Sequence, residues 1–266
     1  MSRTVPTQLS EILAYLSEIG YGDVYLRPNA RPSASQRPPA PVAARAEAPA
    51  PIPAAAPELT VPPPPPAPVI PAAAPPAADL AARRAEMEGL AAIVAGCTRC
   101  RLAEGRKSVV FGAGNPDADL MLIGEGPGAE EDRQGLPFVG PAGELLTRII
   151  QAIDLRREDV YIANVVKCRP PGNRDPQPDE VQACRGYLEK QVALVRPRVL
   201  VALGRTAAQA LLGNESPIGQ LRGQWYQAFG VPTMVTYHPA ALLRNQGLKR
   251  PTWEDMQQVR DRLRGG

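Results

Sequence analysis

Long apolar runs are missing from this chain. No stretch approaches the roughly 18 to 20 uninterrupted apolar residues that a membrane span needs, so no membrane association is expected. The N-terminal stretch "MSRTVPTQLSEILAYLSEIGYGDVYL" carries Glu11 and Glu18 and has no signal-peptide core, which makes a cytoplasmic setting the expectation. A charge of one sign is lacking too. Thirty Lys and Arg against 27 Asp and Glu leave a formal net charge of +3, too little by itself to announce a nucleic-acid binder. Cysteine is scarce, at four, and in the cytoplasm four cysteines argue against disulfides. Histidine is reduced to His238 alone.

Proline, by contrast, is abundant, with 32 residues gathered unevenly. Residues 27–78 are dominated by Pro and Ala, with sparse charge and no periodic apolar face. Such a segment cannot offset its ordering entropy by burial, so a disordered linker is predicted. At about 3.1 Å per residue in polyproline II, it spans on the order of 100 Å or more. Before it, in residues 1–26, Leu9, Ile12, Leu13, Leu16 and Ile19 fall at helical spacing. This amphipathic helix must dock its stripe somewhere, either on the chain's own folded domain or on a protein partner that it recruits.

From residue 79 to 266 the composition becomes that of a folded domain. "ADLMLIGEG", "DVYIANVVKC", "RVLVALG" and "GVPTMVTYHP" are expected to be strands. Helical patterns alternate with them, including "AGELLTRIIQAIDL", with Leu145, Leu146, Ile149 and Ile153 inward, and "PDEVQACRGYLEKQVALV", opened by Pro178 and Asp179. Apolar strands alternating with amphipathic helices predict an α/β fold: three layers, α/β/α, around a central four-stranded parallel sheet. Ligands in such sheets bind beyond the carboxyl ends of the strands. That rule gathers "GEGPG", "NVVKC", "LGRT" and "YHPAALLRN" on one rim.

Cys97 and Cys100 form a C-x2-C pair; Cys168 follows a strand and Cys184 lies in the next helix. Four thiolates suit Zn²⁺ or a cubane iron–sulfur cluster, and spacing alone does not separate the two. Cys168 and Cys184 also read as small buried hydrophobes. Arginines cluster locally in "CTRCRLAEGRK", "KCRPPGNR" and "LLRNQGLKR", a patchy basic surface of the kind that contacts phosphates. The glycine-rich turn "GEGPGAEEDRQGLPFVGPAG" follows an apolar strand, as phosphate cradles do. Yet it carries Glu125, Glu130, Glu131 and Asp132, and its nearest cation is Arg133.

The motifs "GEGPGAEED", "GLPFVGPAG", "NVVKCRPPGNRDPQPDE", "LGRTAAQALL" and "YHPAALLRN", with the order of the four cysteines, make residues 97 to about 260 resemble the iron–sulfur uracil-DNA glycosylases, family 4 of their superfamily. The resemblance resolves the puzzle of the acidic loop, because the implied ligand is a neutral, extruded uracil rather than a phosphate. It implies a [4Fe-4S] cluster on Cys97, Cys100, Cys168 and Cys184. It implies that Glu125, Gly126 and Pro127 line the base pocket, that Phe138 stacks on uracil, and that Asn164 pairs with its O4 and N3–H. Glu131 would fill the space beside C5 and reject a thymine methyl. His238 would hydrogen-bond O2 as negative charge grows there.

The implied reaction is monofunctional: hydrolysis of the N-glycosidic bond in single- or double-stranded DNA by a monomer, leaving free uracil and an abasic site for base excision repair. An aspartate that handles water in the best-known branch is replaced here by Gly126, so Glu125 and Glu131 are the nearby candidate bases. Leu242 or Leu243 would wedge into the vacated stack, with Arg244 and Lys249 on phosphates.

Each residue also has a structural reading: Phe138 as core, Asn164 as a turn tie, Glu131 as a helix-start carboxylate. A relative that crosslinks to the abasic sugar needs a histidine-containing basic loop, which this one-histidine chain lacks. The remaining rivals are an inactive DNA-binding or partner-recruiting member of the same fold, and a zinc-stabilised nucleotide-binding protein.

Overall fold

The computed structural model describes residues 77–265. The expected N-terminal helix, and the expected linker up to residue 76, lie outside the described residues. The strands are β1 Ala113–Gly114, β2 Leu120–Gly124, β3 Tyr161–Asn164, β4 Val199–Leu203, β5 Trp225–Ala228 and β6 Val231–Thr236. The α-helices are α1 Ala77–Ala95, α2 Leu102–Gly105, α3 Ala129–Gln134, α4 Pro141–Gln151, α5 Pro178–Val195, α6 Arg205–Leu212, α7 Ile218–Leu221, α8 Pro239–Arg244 and α9 Lys249–Arg264.

The strands form one sheet in the order β1-β3-β2-β4-β6-β5. Its centre, β3-β2-β4-β6, is parallel, as the alternating pattern predicts. The two edges, β1 and β5, are antiparallel additions that the four-strand expectation omitted. Every residue of β2, β3 and β4 is buried. A parallel strand is covered on both faces, so it is written as a continuous apolar run.

Two clusters of buried side chains fill the space on either side of the sheet. Met87, Leu90 and Val94 of α1, Leu188 and Val192 of α5, and Ala207 and Leu211 of α6 meet Met121, Ile123, Leu200 and Ala202 on one face. Leu146 and Ile150 of α4 and Met256 and Val259 of α9 meet Leu120, Leu122, Val201 and Met234 on the other. The stripe on α4 differs by one residue from the expected one: Ile150 is fully buried, and Ile149 only partly. Arg83 lies in the buried stripe of α1. It spends its guanidinium on Asp79, Asp117 and the carbonyls of Leu194 and Val195, tying α1 to the end of α5.

The parallel register sets the rim. Gly124 and Asn164, the last residues of β2 and β3, are direct partners, and so are Leu203 and Thr236 of β4 and β6. No helix among the described residues is long and apolar enough to cross a membrane.

Candidate active site

Four segments leave the sheet at this rim, and their side chains converge. Asn164 is 1% exposed, and its Oδ1 has no hydrogen-bond partner, the one such buried side-chain atom among the described residues. Burying an amide oxygen unpaired costs on the order of 1 to 3 kcal/mol, a cost that an incoming donor removes. Beside it, Gly124 leaves room that no other residue would: a Cβ there would stand 2.5 Å from Asn164 Oδ1 and 2.6 Å from Phe138 Cζ. Phe138 and Asn164 therefore meet over one glycine. The Phe138 ring also faces the His238 imidazole, with centroids 5.5 Å apart and planes tilted by 30°.

Phe138 is held there against its own preference. Its φ is 52°, a left-handed conformation unfavourable for a bulky residue, and its side chain is buried. Three neighbours impose it. The Pro137 carbonyl accepts from Arg157 Nη2 at 2.7 Å. The N–H groups of Val139 and Gly140 donate to Glu131 Oε1 at 3.0 and 3.3 Å. Gly143 allows the loop to close, because a Cβ there would lie 1.9 Å from the Phe138 carbonyl oxygen.

Glu131 is thus a scaffold. Its second oxygen, Oε2, accepts from the Gly128 N–H at 3.1 Å and so caps α3. Its carboxylate, named above as a candidate base, is engaged by three backbone donors, an arrangement that holds the loop together. Glu125, the other candidate, is partly exposed at the rim; burial raises its pKa, and a hydrogen bond from Thr206 on α6 opposes the rise. Gly126 packs where a Cβ would come within 2.8 Å of Val166 Cγ2, and Pro127 is buried beside it.

His238 caps α8. Its Nδ1 accepts from the Ala240 N–H at 3.1 Å, with Pro239 at the first helical position. Gly204, at a φ of +91°, brings the β4 rim against it, where a Cβ would lie 2.9 Å from His238 Cβ. Burial first, and then the nearby charge of Arg244, push the imidazole pKa down to about 4; Glu131 opposes them. The ring is neutral at physiological pH, with its proton on Nε2.

Of the two leucines in "HPAALLRN", Leu243 is 43% exposed and Leu242 only 2%. Leu242 belongs to the core, so only Leu243 stands ready to touch another molecule. Arg244 is exposed beside it, and Lys249 is half-buried at the start of α9.

All four cysteines are free and line one cavity with Arg99, Arg106, Lys167 and Tyr187. Arg106 Nη1 donates to Cys168 Sγ at 3.3 Å, and the Tyr187 hydroxyl lies 3.4 Å from Cys97 Sγ. The Lys167 backbone N–H bonds Cys184. Burial raises the Cys168 and Cys184 thiols, an effect that Arg106 opposes at the first and Lys167 at the second. Among the described residues, no group of three or more His, Cys, Asp or Glu is arranged so as to hold a metal ion. Thr206, Gly204, Arg157 and Lys167 were not singled out from sequence, although three of them lie within or beside the quoted motifs.

These features define a class: an α/β/α protein whose candidate site sits at the carboxyl ends of its parallel strands. Residues 111–257 match the uracil DNA glycosylase superfamily. A type-4 uracil-DNA glycosylase of Saccharolobus solfataricus is 46% identical over 176 residues, 63% of this chain and 82% of that protein. One from Thermotoga maritima is 45% identical over 178 residues, 65% of this chain and 93% of that protein. A type-5 uracil-DNA glycosylase of Thermus thermophilus is 38% identical over 120 residues, 40% of this chain and 54% of that protein. The chain belongs to the uracil DNA glycosylase superfamily, in its type-4 branch.

Proposed function

We propose that the protein excises uracil from DNA by hydrolysing its N-glycosidic bond, and that the rim site does the work. The extruded base lies on the Phe138 ring with its edge against Asn164. Asn164 Oδ1 accepts the N3–H and the amide NH₂ donates to O4; cytosine, with an acceptor at N3 and a donor at C4, meets the wrong partners. The observation that carries this reading is the unpartnered, buried Asn164 Oδ1 beside the Phe138 ring, which itself faces a neutral imidazole.

As the bond to the sugar breaks, negative charge builds on uracil O2. His238 Nε2–H is placed to donate to it, a contribution typically worth about 2.7 to 4 kcal/mol at the transition state. A dissociative path demands little of a base, because the sugar cation captures water readily. Glu125, held by Thr206, is the carboxylate left to orient that water. Glu131 keeps the Phe138 loop in place, and any steric rejection of a methyl at C5 depends on those same backbone bonds. Leu243 enters the vacated stack, with Arg244 on a phosphate.

The thiols do not close on a single metal ion, and we infer a [4Fe-4S] cluster from the chemistry of the lining: four sulfurs and no carboxylate face one cavity, with hydrogen bonds to sulfur from side chains and backbone. Cys97, Cys100, Cys168 and Cys184 would hold it. When bound, it would cross-link three separate chain segments and take no redox part in bond cleavage. Brown colour with broad visible absorbance supports the cluster, and a colourless zinc protein overturns it.

Release of free uracil from a single-stranded oligonucleotide tests the activity, run beside Asn164→Ala and His238→Ala. Loss in both variants with folding intact supports the assignments. A wild-type protein that binds DNA but leaves every uracil attached is the inactive binder instead.

A further inference from the structure

Lys167 is among the largest fully buried side chains of the protein, and its residue is 1% exposed. Its Nζ donates to the Asn164 main-chain carbonyl at 2.8 Å and to Gln191 Oε1 at 2.5 Å. Gln191 is itself fixed, its Nε2 donating to the Phe111 carbonyl at 2.9 Å and lying 3.3 Å from the Tyr161 hydroxyl. The backbone of Lys167 faces the other way: its N–H bonds Cys184, and its carbonyl accepts from the Val110 N–H at 2.8 Å. Cys168 follows directly. One residue therefore touches a thiol of the cysteine cavity with its backbone and the peptide of Asn164 with its side chain.

We propose that Lys167 is a positioning residue for base recognition, clamping the Asn164 peptide to the segment that carries Cys168 and contacts Cys184. The inference rests on Asn164 as the residue that reads the base.

The physics of the turn supports the clamp. After Asn164 the chain leaves the sheet, with the Val165 and Val166 N–H groups donating to the carbonyls of Gly124 and Glu125 at 2.9 and 3.1 Å. The Asn164 carbonyl is held by Lys167 Nζ. If that bond is lost, the Asn164 carbonyl is left without its lysine partner and the peptide between residues 164 and 165 keeps only the Val165 N–H bond to Gly124. The Asn164 backbone, and the Cα that carries its side-chain amide, can then shift. An oxygen and an NH₂ aimed at two adjacent atoms of a flat ring lose their match within a few tenths of an ångström. Among the described residues no carboxylate pairs with the buried Nζ, whose partners are the Asn164 carbonyl and Gln191. Lysine is thus an expensive choice for a mere filler, and a Met or Leu of similar length would pack more cheaply.

The test uses the full chain with its cluster in place, comparing wild type with Lys167→Met, Gln191→Leu and Asn164→Ala. Free uracil affinity is measured by calorimetry, and kcat and KM on a uracil oligonucleotide. Iron content and visible absorbance are recorded for each protein. In Lys167→Met we expect iron, absorbance and KM close to wild type, with uracil affinity and kcat both falling about tenfold or more. Gln191→Leu, which loosens Nζ without changing the lysine, gives a smaller loss of the same two quantities and serves if Lys167→Met does not fold. Wild-type uracil affinity in Lys167→Met alongside its loss in Asn164→Ala overturns the clamp. So does loss of iron from Lys167→Met, which makes the lysine a support of the cysteine cavity alone. If Asn164→Ala keeps its uracil affinity, the base-reading assignment itself fails and the clamp falls with it.

Discussion

The Ala240 N–H donates to His238 Nδ1 at 3.1 Å, and this bond decides which ring nitrogen faces outward with a proton. Burial and Arg244 hold the imidazole pKa near 4, so the neutral form persists far below the ordinary 6.5. The chain has a single histidine, so its ring resonances are unambiguous. NMR of histidine-labelled protein should show a midpoint near 4, with the proton on Nε2 above it. The linkage has a definite sign. The unfolded chain takes up the proton first, so stability from this group is complete above about pH 6.5 and lost as pH falls toward 4. An NMR midpoint above physiological pH would remove the neutral-donor mechanism. His238→Ala is expected to lower kcat by about 10² to 10³-fold with little change in KM.

Gly124 is where substitution should cost most per atom added. A single methyl there collides with both Asn164 Oδ1 and the Phe138 ring. Phe138 is confined by Glu131, Arg157 and Gly143, so it has little room to retreat. Gly124→Ala should therefore fold with a modest loss of stability, about 1 to 3 kcal/mol, yet lose at least about tenfold in free uracil affinity. Calorimetric binding of uracil, beside thermal unfolding, separates the two effects. Unchanged affinity would mean that base and aromatic ring do not share the space above this glycine.

The contrast between central and edge strands shows what sequence patterning can carry. β2 and β4 are uninterrupted apolar runs because helices cover both their faces. β1 is two residues, Ala113 and Gly114, preceded by Gly112; the glycines stand at φ of +124° and +140°, and nothing in the composition marks a strand. β5 has only one fully buried residue, and it turns into β6 through Phe229 and Gly230, both at positive φ. The rim position of the segment that carries Asn164 was legible because topology places strand ends together, whereas the role expected of Asn164 came from the resemblance alone. Their supports were not. Arg157 reaches back twenty residues to the Pro137 carbonyl, a distance no local pattern encodes.

Glu131 gives a prediction that separates scaffold from base. Its two oxygens accept from Gly128, Val139 and Gly140, so Glu131→Gln must turn an NH₂ toward at least one backbone donor. Leaving those donors unpaired costs about 1 to 3 kcal/mol. The variant should unfold at a visibly lower temperature, with kcat falling because the Phe138 loop relaxes. A base would behave otherwise: kcat would collapse while the melting temperature stayed put. Thermal scans and single-turnover rates on the same preparation decide it.

Leu242 and Leu243 are adjacent in sequence and opposite in environment, 2% and 43% exposed on a helix of only six residues. Helical phase over so short a span is not readable from residue type, which is why either leucine fitted the wedge before the structure placed them. The two alanine variants should therefore fail differently. Leu242→Ala opens a cavity behind α8 and should cost about 2 to 5 kcal/mol of stability, dragging His238 with it through the shared helix. Leu243→Ala should stay within about 0.5 kcal/mol of wild type in stability. Its loss should appear on duplex substrates, where an apolar side chain has to fill the gap left by the extruded base. On single-stranded uracil DNA, where little stacking is broken, its rate should stay near wild type. An equal loss on single- and double-stranded substrates would assign Leu243 to general DNA contact instead of the wedge.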